Sequence, residues 1–287
     1  VEAVAVITAV PGVAVGHWTD SAARTGCTAV LFPEGTVASG EVRGGAPATR
    51  EFDLLHPSRM MDRVDAVMLC GGSAFGLAAA DGAMGWLEEH GRGFPTGAGP
   101  VPIVVALALY DLEVGDGSVR PGAAEGRAAC EAAVAGGDAG SGAVGAGTGA
   151  TVGRFAGTPR PGGLGGAMRS ERDLVVGALA AVNAVGDLRA DSLAPESARG
   201  PTAARPFEAT TLVVVATNAR LTKGDCHLAA QSAHDGLARA LEPVHTAFDG
   251  DAAVVAATGA VHAEPELVRM LAARAVEDAI RSALSRP

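Results

Sequence analysis

The chain has 287 residues and a mass of 28.4 kDa, with 48% apolar residues, a mean hydropathy of +0.25 and a net charge of −10. That length allows one large domain or two small ones, and that apolar content supports a sizeable core without disulfides. The acidic balance, with a pI of about 5.1, argues against nucleic acid or an anionic membrane as partner.

No charged segment leads into an apolar one at the start, and no uninterrupted apolar run is long enough to cross a bilayer, so a cytoplasmic location is expected. Aromatics are only 3%, so the core must be built from Ala, Val and Leu in close layers, and 40 glycines imply many tight turns. Cys27, Cys70, Cys130 and Cys226 form no C-x-x-C pair, so they suggest neither zinc nor redox chemistry; Cys70 and Cys130 read as small core residues.

In chain order, residues 4–15 are apolar around a Pro11-Gly12 turn, and His17-Trp18-Thr19-Asp20 leads into a loop. Residues 27–32 read as a strand. The run from Arg43 to Glu51 is a glycine turn flanked by charge. It fits a hairpin or crossover loop whose arginines pair with Glu51 or Asp53 better than a cleft wall. Residues 64–70 form a buried strand, followed by Gly71-Gly72-Ser73-Ala74-Phe75-Gly76 and a helix over about 77–89. No Gly-Lys-Ser/Thr follows, and Phe75 stands where a nucleophile elbow needs glycine, so close helix–strand packing explains these glycines.

Residues 101–109 are another buried strand and 123–134 an Ala-rich helix. Residues 136–166 are dominated by Gly, Ala and Thr. Gly140-Ser141-Gly142-Ala143-Val144-Gly145 matches a dinucleotide pattern on paper, but no strand leads into it and Arg160 stands where an acid is required. Residues 174–185 are apolar and include Asn183; the other asparagine is Asn218. Asn183 is either a satisfied turn residue before Gly186-Asp187 or a donor aimed at a reacting carbonyl oxygen. Residues 187–205 read as loop, and Phe207 to Asn218 carries the chain from loop into a buried β-branched strand. A helix capped by Thr222 or Asp225 runs to about 241 and carries His227 and His234, which lack a third ligand at metal spacing. A strand over 252–257 and an amphipathic helix over 264–285 close the chain. Strands and helices alternate without strict βαβ rhythm. One α+β or layered α/β domain over 1–287 fits best.

The chemistry centres on Thr210. A hydroxyl at the start of a buried strand is an ordinary strand start, and it is also where a self-cutting chain would place a new N-terminal nucleophile. A break before Thr210 would free an α-amino group of reference pKa about 7.7–8.0, which can serve as base for the hydroxyl. Asp249-Gly250-Asp251 supplies two carboxylates at strand spacing, which would project to one face. Asn183 can supply the oxyanion donor. No metal or organic cofactor is required.

The run Thr210 to Lys223, with Ala233-His234-Asp235-Gly236-Leu237-Ala238-Arg239 and His245-Thr246-Ala247-Phe248-Asp249-Gly250-Asp251, resembles the DmpA-type self-processing hydrolases. That group comprises L-aminopeptidase/D-amidase-esterases, β-peptidyl aminopeptidases and nylon-oligomer endo-hydrolases. Pro11-Gly12-Val13, the Arg43–Glu51 run and Gly71 to Leu77 belong to the same pattern, so the resemblance spans nearly the whole chain. It implies an αββα-type layered sandwich, self-cleavage between Ala209 and Thr210 into parts 1–209 and 210–287, and assembly into homo-oligomers such as a tetramer of α/β units. It places the nucleophile at Thr210, its acidic partners at Asp249 and Asp251, and the oxyanion donor at Asn183. The pattern looks closest to the nylon-oligomer branch, which acts on 6-aminohexanoate linkages. An aminopeptidase or β-aminopeptidase is the alternative within the family; a poorly maturing, non-catalytic scaffold or binder is the alternative outside enzymes. Two residues depart from the pattern. Ala209 stands where the family has asparagine, and Arg160, a candidate substrate-binding residue, stands where the nylon branch has lysine. A guanidinium keeps the charge but cannot act as a base.

Overall fold

The computed structural model describes residues 6–136, 139–157, 159–189 and 209–285. In chain order its main strands are β1 (Ala14–Asp20), β2 (Thr25–Leu31), β3 (Val37–Val42), β4 (Thr49–Arg50), β5 (Ala66–Cys70), β6 (Val104–Ala108), β7 (Gly163–Glu171), β8 (Leu174–Asn183), β9 (Thr210–Ala219) and β10 (Ala252–Val261). Its α-helices are α1 (Ala79–Glu89), α2 (Ala123–Val134), α3 (Lys223–Ala240) and α4 (Pro265–Leu284). One sheet has the order β1-β2-β5-β6-β4 and the other β7-β8-β9-β10-β3. Neighbours run antiparallel except β5 with β6 and β9 with β10, which are parallel.

Three apolar layers hold these parts together. Val30, Val67 and Leu107 from one sheet meet Leu179, Leu212 and Val254 from the other. Val213, Val215 and Val255, on the opposite face of the second sheet, pack against Leu237, Val276 and Ile280 of α3 and α4. Met68, Cys70 and Ala106 pack against Leu87 and Ala129 of α1 and α2. The result is the expected helix–sheet–sheet–helix sandwich. It also explains why β9 reads as one continuous apolar run: both of its faces are covered. All four cysteines are free and buried, and burial pushes the Cys70 thiol up to about 12.

Several expectations need correction. His17 to Asp20 is the second half of β1, paired with β2 from Thr25 to Thr28, and leads into the turn over 21–24. The edge strand β3 had no sequence signal, since Ala38-Ser39-Gly40 has little β-propensity. The glycine-rich tract runs into β7, whose first residues are small so that α4 can lie against the backbone there. A Cβ at Gly165 would sit 2.2 Å from the Ala279 carbonyl oxygen and 2.5 Å from the Ala283 nitrogen. Arg43 pairs with Glu41 at 3.2 Å and Arg50 with Asp81 at 2.7 Å, in place of Glu51 or Asp53. The turn after β5 is built on a buried carboxylate, since Asp111 accepts from the Gly72 amide and the Thr25 hydroxyl, both at 2.7 Å. Of the loop read over 187–205, residues 187 and 188 pair with Leu241–Glu242 and residues 190–205 lie outside the described residues, as do Phe207 and Glu208.

Helix α3 starts on a capping box. Thr222 accepts from the Asp225 amide, and the Asp225 carboxylate accepts from the Thr222 amide at 3.0 Å. The single lysine, Lys223, donates to the carbonyls of Leu54, Arg59 and Met61 at 2.6–3.0 Å, tying that loop to the helix. The contact of α4 with β7 gives a direct test. Gly165→Ala is expected to lower stability by about 1–3 kcal/mol, read as a lower melting temperature, because backbone atoms must move to admit one methyl group.

Candidate active site

The site forms where β9 begins. Thr210 pairs with Asn183 at the end of β8, and Ala209 forms a parallel bridge with Asp249. The Gly250 amide donates to the Ala209 carbonyl oxygen at 2.9 Å. The Thr210 hydroxyl donates to the same oxygen at 2.5 Å. Both the bond ahead of Thr210 and its hydroxyl are therefore buried and held. Gly250 has to be glycine: a Cβ there would lie 2.7 Å from Thr210 Oγ1 and 2.7 Å from the Ala46 carbonyl oxygen.

The two carboxylates flank this peptide, each buried to 1% exposure. Asp249 accepts from the Thr246 amide at 2.9 Å, the Thr246 hydroxyl at 2.6 Å and the Val185 amide at 3.2 Å. Asp251 accepts from the Thr211 amide at 2.7 Å, and from the His245 amide and Nδ1 at 3.0 and 2.8 Å. Burial first, and the neighbouring charge of Asp251 second, push Asp249 up to about 6 against the opposing pull of its donors. The two carboxylates therefore share one environment, and the charge of Asp251 acts on Asp249.

The loop after β3 forms the wall behind them. The amides of Arg43 and Gly44 donate to the Asp251 carbonyl and that of Ala46 to the Asp249 carbonyl, at 2.9–3.2 Å. Sequence reasoning favoured a plain crossover loop here; the structure makes it part of the site.

Asn183 is fully buried beside Thr210, with its amide already engaged. Its oxygen accepts from the Thr151 amide at 2.8 Å and its nitrogen donates to the Tyr110 carbonyl at 2.9 Å. In this uncut chain the backbone of Gly250, rather than Asn183, donates to the carbonyl oxygen ahead of Thr210. Arg160 is engaged elsewhere, in a two-point ion pair with Asp187. The sequence reading gave three residues no role in the site: Thr246 and His245, quoted only within a motif, which hold the carboxylates, and His234, weighed only as a metal ligand, whose ring meets that of His245 edge-on at 4.8 Å. The signal was their position just ahead of Asp249-Gly250-Asp251 or on the helix facing it. Among the described residues no three His, Cys, Asp or Glu side chains form a group able to hold a metal, and no helix is long and apolar enough to cross a membrane.

The family model of peptidase family S58 matches residues 5–286. The chain belongs to peptidase family S58. It is 45% identical to an uncharacterized aminopeptidase of Mycobacterium leprae, over 90% of this chain and 79% of that protein. It is 29% identical to the 6-aminohexanoate-oligomer endohydrolase of a Kocuria species, over 84% of this chain and 71% of that one. Among solved structures, a Burkholderia β-aminopeptidase superposes with a TM-score of 0.73 at 26% identity, covering 97% of this chain and 85% of that one. This S58 chain is thus a hydrolase of peptide or related amide bonds, in an α/β fold shared with that enzyme.

The shared environment of the carboxylates gives a direct prediction. Carbon NMR of the side-chain carboxyls should show one acid with a midpoint near 6. Asp251→Asn should lower that midpoint, because it removes the like charge that opposes ionisation of Asp249.

Proposed function

We propose that this S58 hydrolase cuts its own chain between Ala209 and Thr210 and then uses Thr210 as an N-terminal nucleophile on small amides. The observation that supports this is the geometry at Ala209. Its carbonyl oxygen is held by the Gly250 amide, while the Thr210 hydroxyl lies 2.5 Å from that oxygen. As negative charge grows on that oxygen, a preorganised amide donor stabilises it without having to move.

Thr210 Oγ1 attacks the Ala209 carbonyl carbon and loses its proton, and the Ala209–Thr210 C–N bond breaks. The proton passes to the departing nitrogen, leaving an ester between Ala209 and Thr210 Oγ1. Water then hydrolyses the ester, giving a carboxylate at Ala209 and a free amine on Thr210. In turnover that amine takes the hydroxyl proton as Oγ1 attacks a substrate carbonyl, and it returns the proton to the leaving amine; water then hydrolyses the ester on Oγ1, releasing the acid and restoring the hydroxyl. Asp249 and Asp251 supply the negative charge that balances the ammonium state. Arg160, bound to Asp187, takes no part in proton transfer.

The identity to the mycobacterial aminopeptidase exceeds that to the Kocuria enzyme, which weights the substrate toward short peptides or amides with a free amino end. Linear 6-aminohexanoate oligomers are the second reading, favoured by the relatives named for that reaction.

Mass spectrometry of the purified protein should find a break before Thr210, and Thr210→Ala should abolish both the break and the activity. An active Thr210→Ala protein would overturn the mechanism. Ala209→Asn, which adds a polar side chain beside the scissile bond, should split at least as fast as the parent; a chain that splits under neither condition would instead favour a non-catalytic binder. Turnover should rise with pH through about 6, as Asp249 gains its charge, and Asp249→Asn should remove that limb.

A further inference from the structure

Behind Asp251, on the side facing α3, lie two imidazoles that the chemistry above does not use. His245 donates from Nδ1 to Asp251 Oδ2 at 2.8 Å, and its own amide donates to the same oxygen at 3.0 Å. The other oxygen of Asp251 accepts from the Thr211 amide at 2.7 Å. The peptide carrying that amide is the one that follows Thr210. One carboxylate therefore joins His245 to the backbone of the proposed nucleophile.

His234 backs this arrangement. Its Nε2 lies 3.0 Å from the Glu41 carbonyl, which can only accept, so Nε2 carries the proton. Burial holds His234 well below the usual histidine range, at about 4, so it stays neutral. Its Nδ1, His245 Nε2 and Thr211 Oγ1 are buried polar atoms without a hydrogen-bond partner among the described residues. Such atoms are costly unless ordered water completes them. An apolar side chain would fill this space more cheaply, so packing alone does not account for the imidazoles. The charged groups around them are Asp251 and Asp249 on one side, Glu41 and Arg43 at the end of β3, and Asp235 on α3, which Arg43 reaches at 3.9 Å.

We propose that His245 is a positioning residue: by clamping Asp251 against the Thr211 amide, it fixes the first peptide of β9 and so aims the Thr210 hydroxyl. The proposal rests on Thr210 being the nucleophile. It assigns His245 a task in both self-cleavage and turnover, although it touches neither the scissile bond nor a substrate. Its backbone supports the assignment. His245 sits at φ +56°, in the left-handed region that non-glycine residues adopt uncommonly and Asn, Asp and His more readily than others. In that conformation both its amide and its ring nitrogen reach the same carboxylate oxygen.

The test compares His245→Gly with His245→Asn in the full chain. Glycine tolerates the backbone and removes the ring donor; asparagine tolerates the backbone and keeps an N–H near the position of Nδ1. His245→Gly should slow chain splitting and kcat by about tenfold or more with KM little changed. His245→Asn should recover splitting and kcat to within about threefold of the parent. A His245→Gly protein that splits and turns over within about twofold of the parent overturns the proposal. So does a His245→Asn protein as impaired as His245→Gly. Where the glycine variant fails to fold, proton NMR of the uncut Thr210→Ala chain decides. A low-field His245 Nδ1–H resonance that Asp251→Asn abolishes is expected, and its absence contradicts the clamp. A normal His245→Gly enzyme alongside a dead Thr210→Ala protein would refute only the clamp; an active Thr210→Ala protein would refute the nucleophile itself.

Discussion

Two carboxylates one glycine apart, both out of water and both beside the first peptide of the central strand, are the constraint on which the site depends. Burying an ionised carboxylate is unfavourable by several kcal/mol unless donors surround it. Each has three: two amides and a hydroxyl for Asp249, two amides and an imidazole for Asp251. Those donors come from the end of β8, the start of β9 and the loop before β10. Satisfying the carboxylates therefore fixes three separate segments against one another.

The rest of the sandwich holds that junction still. β9 lies between β8 and β10, and its side chains alternate between the inter-sheet core and the α3–α4 layer. Its first residues thus have little freedom to slide, since a one-residue slip would exchange its two faces. Gly250 lets the Ala46 carbonyl and the Thr210 hydroxyl come within reach of a backbone that any side chain would push away. Under the proposed function, the negative charge at this point suits an amine that, once freed, exists as an ammonium.

Much of this was legible in the residues. The β-branched run from Thr211 to Val215, the Thr222–Asp225 cap and the amphipathic closing helix each carry a local signal, and each element forms where that signal lies. Thr210, Asp249, Asp251 and Asn183 do meet, although they are spread over nearly seventy positions. That juxtaposition is a property of sheet order, which no local pattern encodes. The elements that were missed share one cause. β3 and β7 are strands made of small residues because a helix or a loop lies directly against their backbones, so their β character is set by neighbours and not by propensity. The Arg43–Glu51 loop likewise reads as a turn, and its amides reveal their purpose only when the carbonyls of Asp249 and Asp251 stand opposite them. Asn183 shows the limit for single side chains: its position was readable, its engagement by Thr151 and Tyr110 was not.

The account rests on one atom, Thr210 Oγ1, forming a covalent bond to the acyl group it attacks. The most direct test is to mix the purified protein with a slowly deacylating activated ester of a small amino acid, quench early, and map the adduct by mass spectrometry. The account predicts one acyl group, carried on the peptide that begins at Thr210 and located on that residue. Steady turnover with no adduct, or an adduct on another residue, would contradict it.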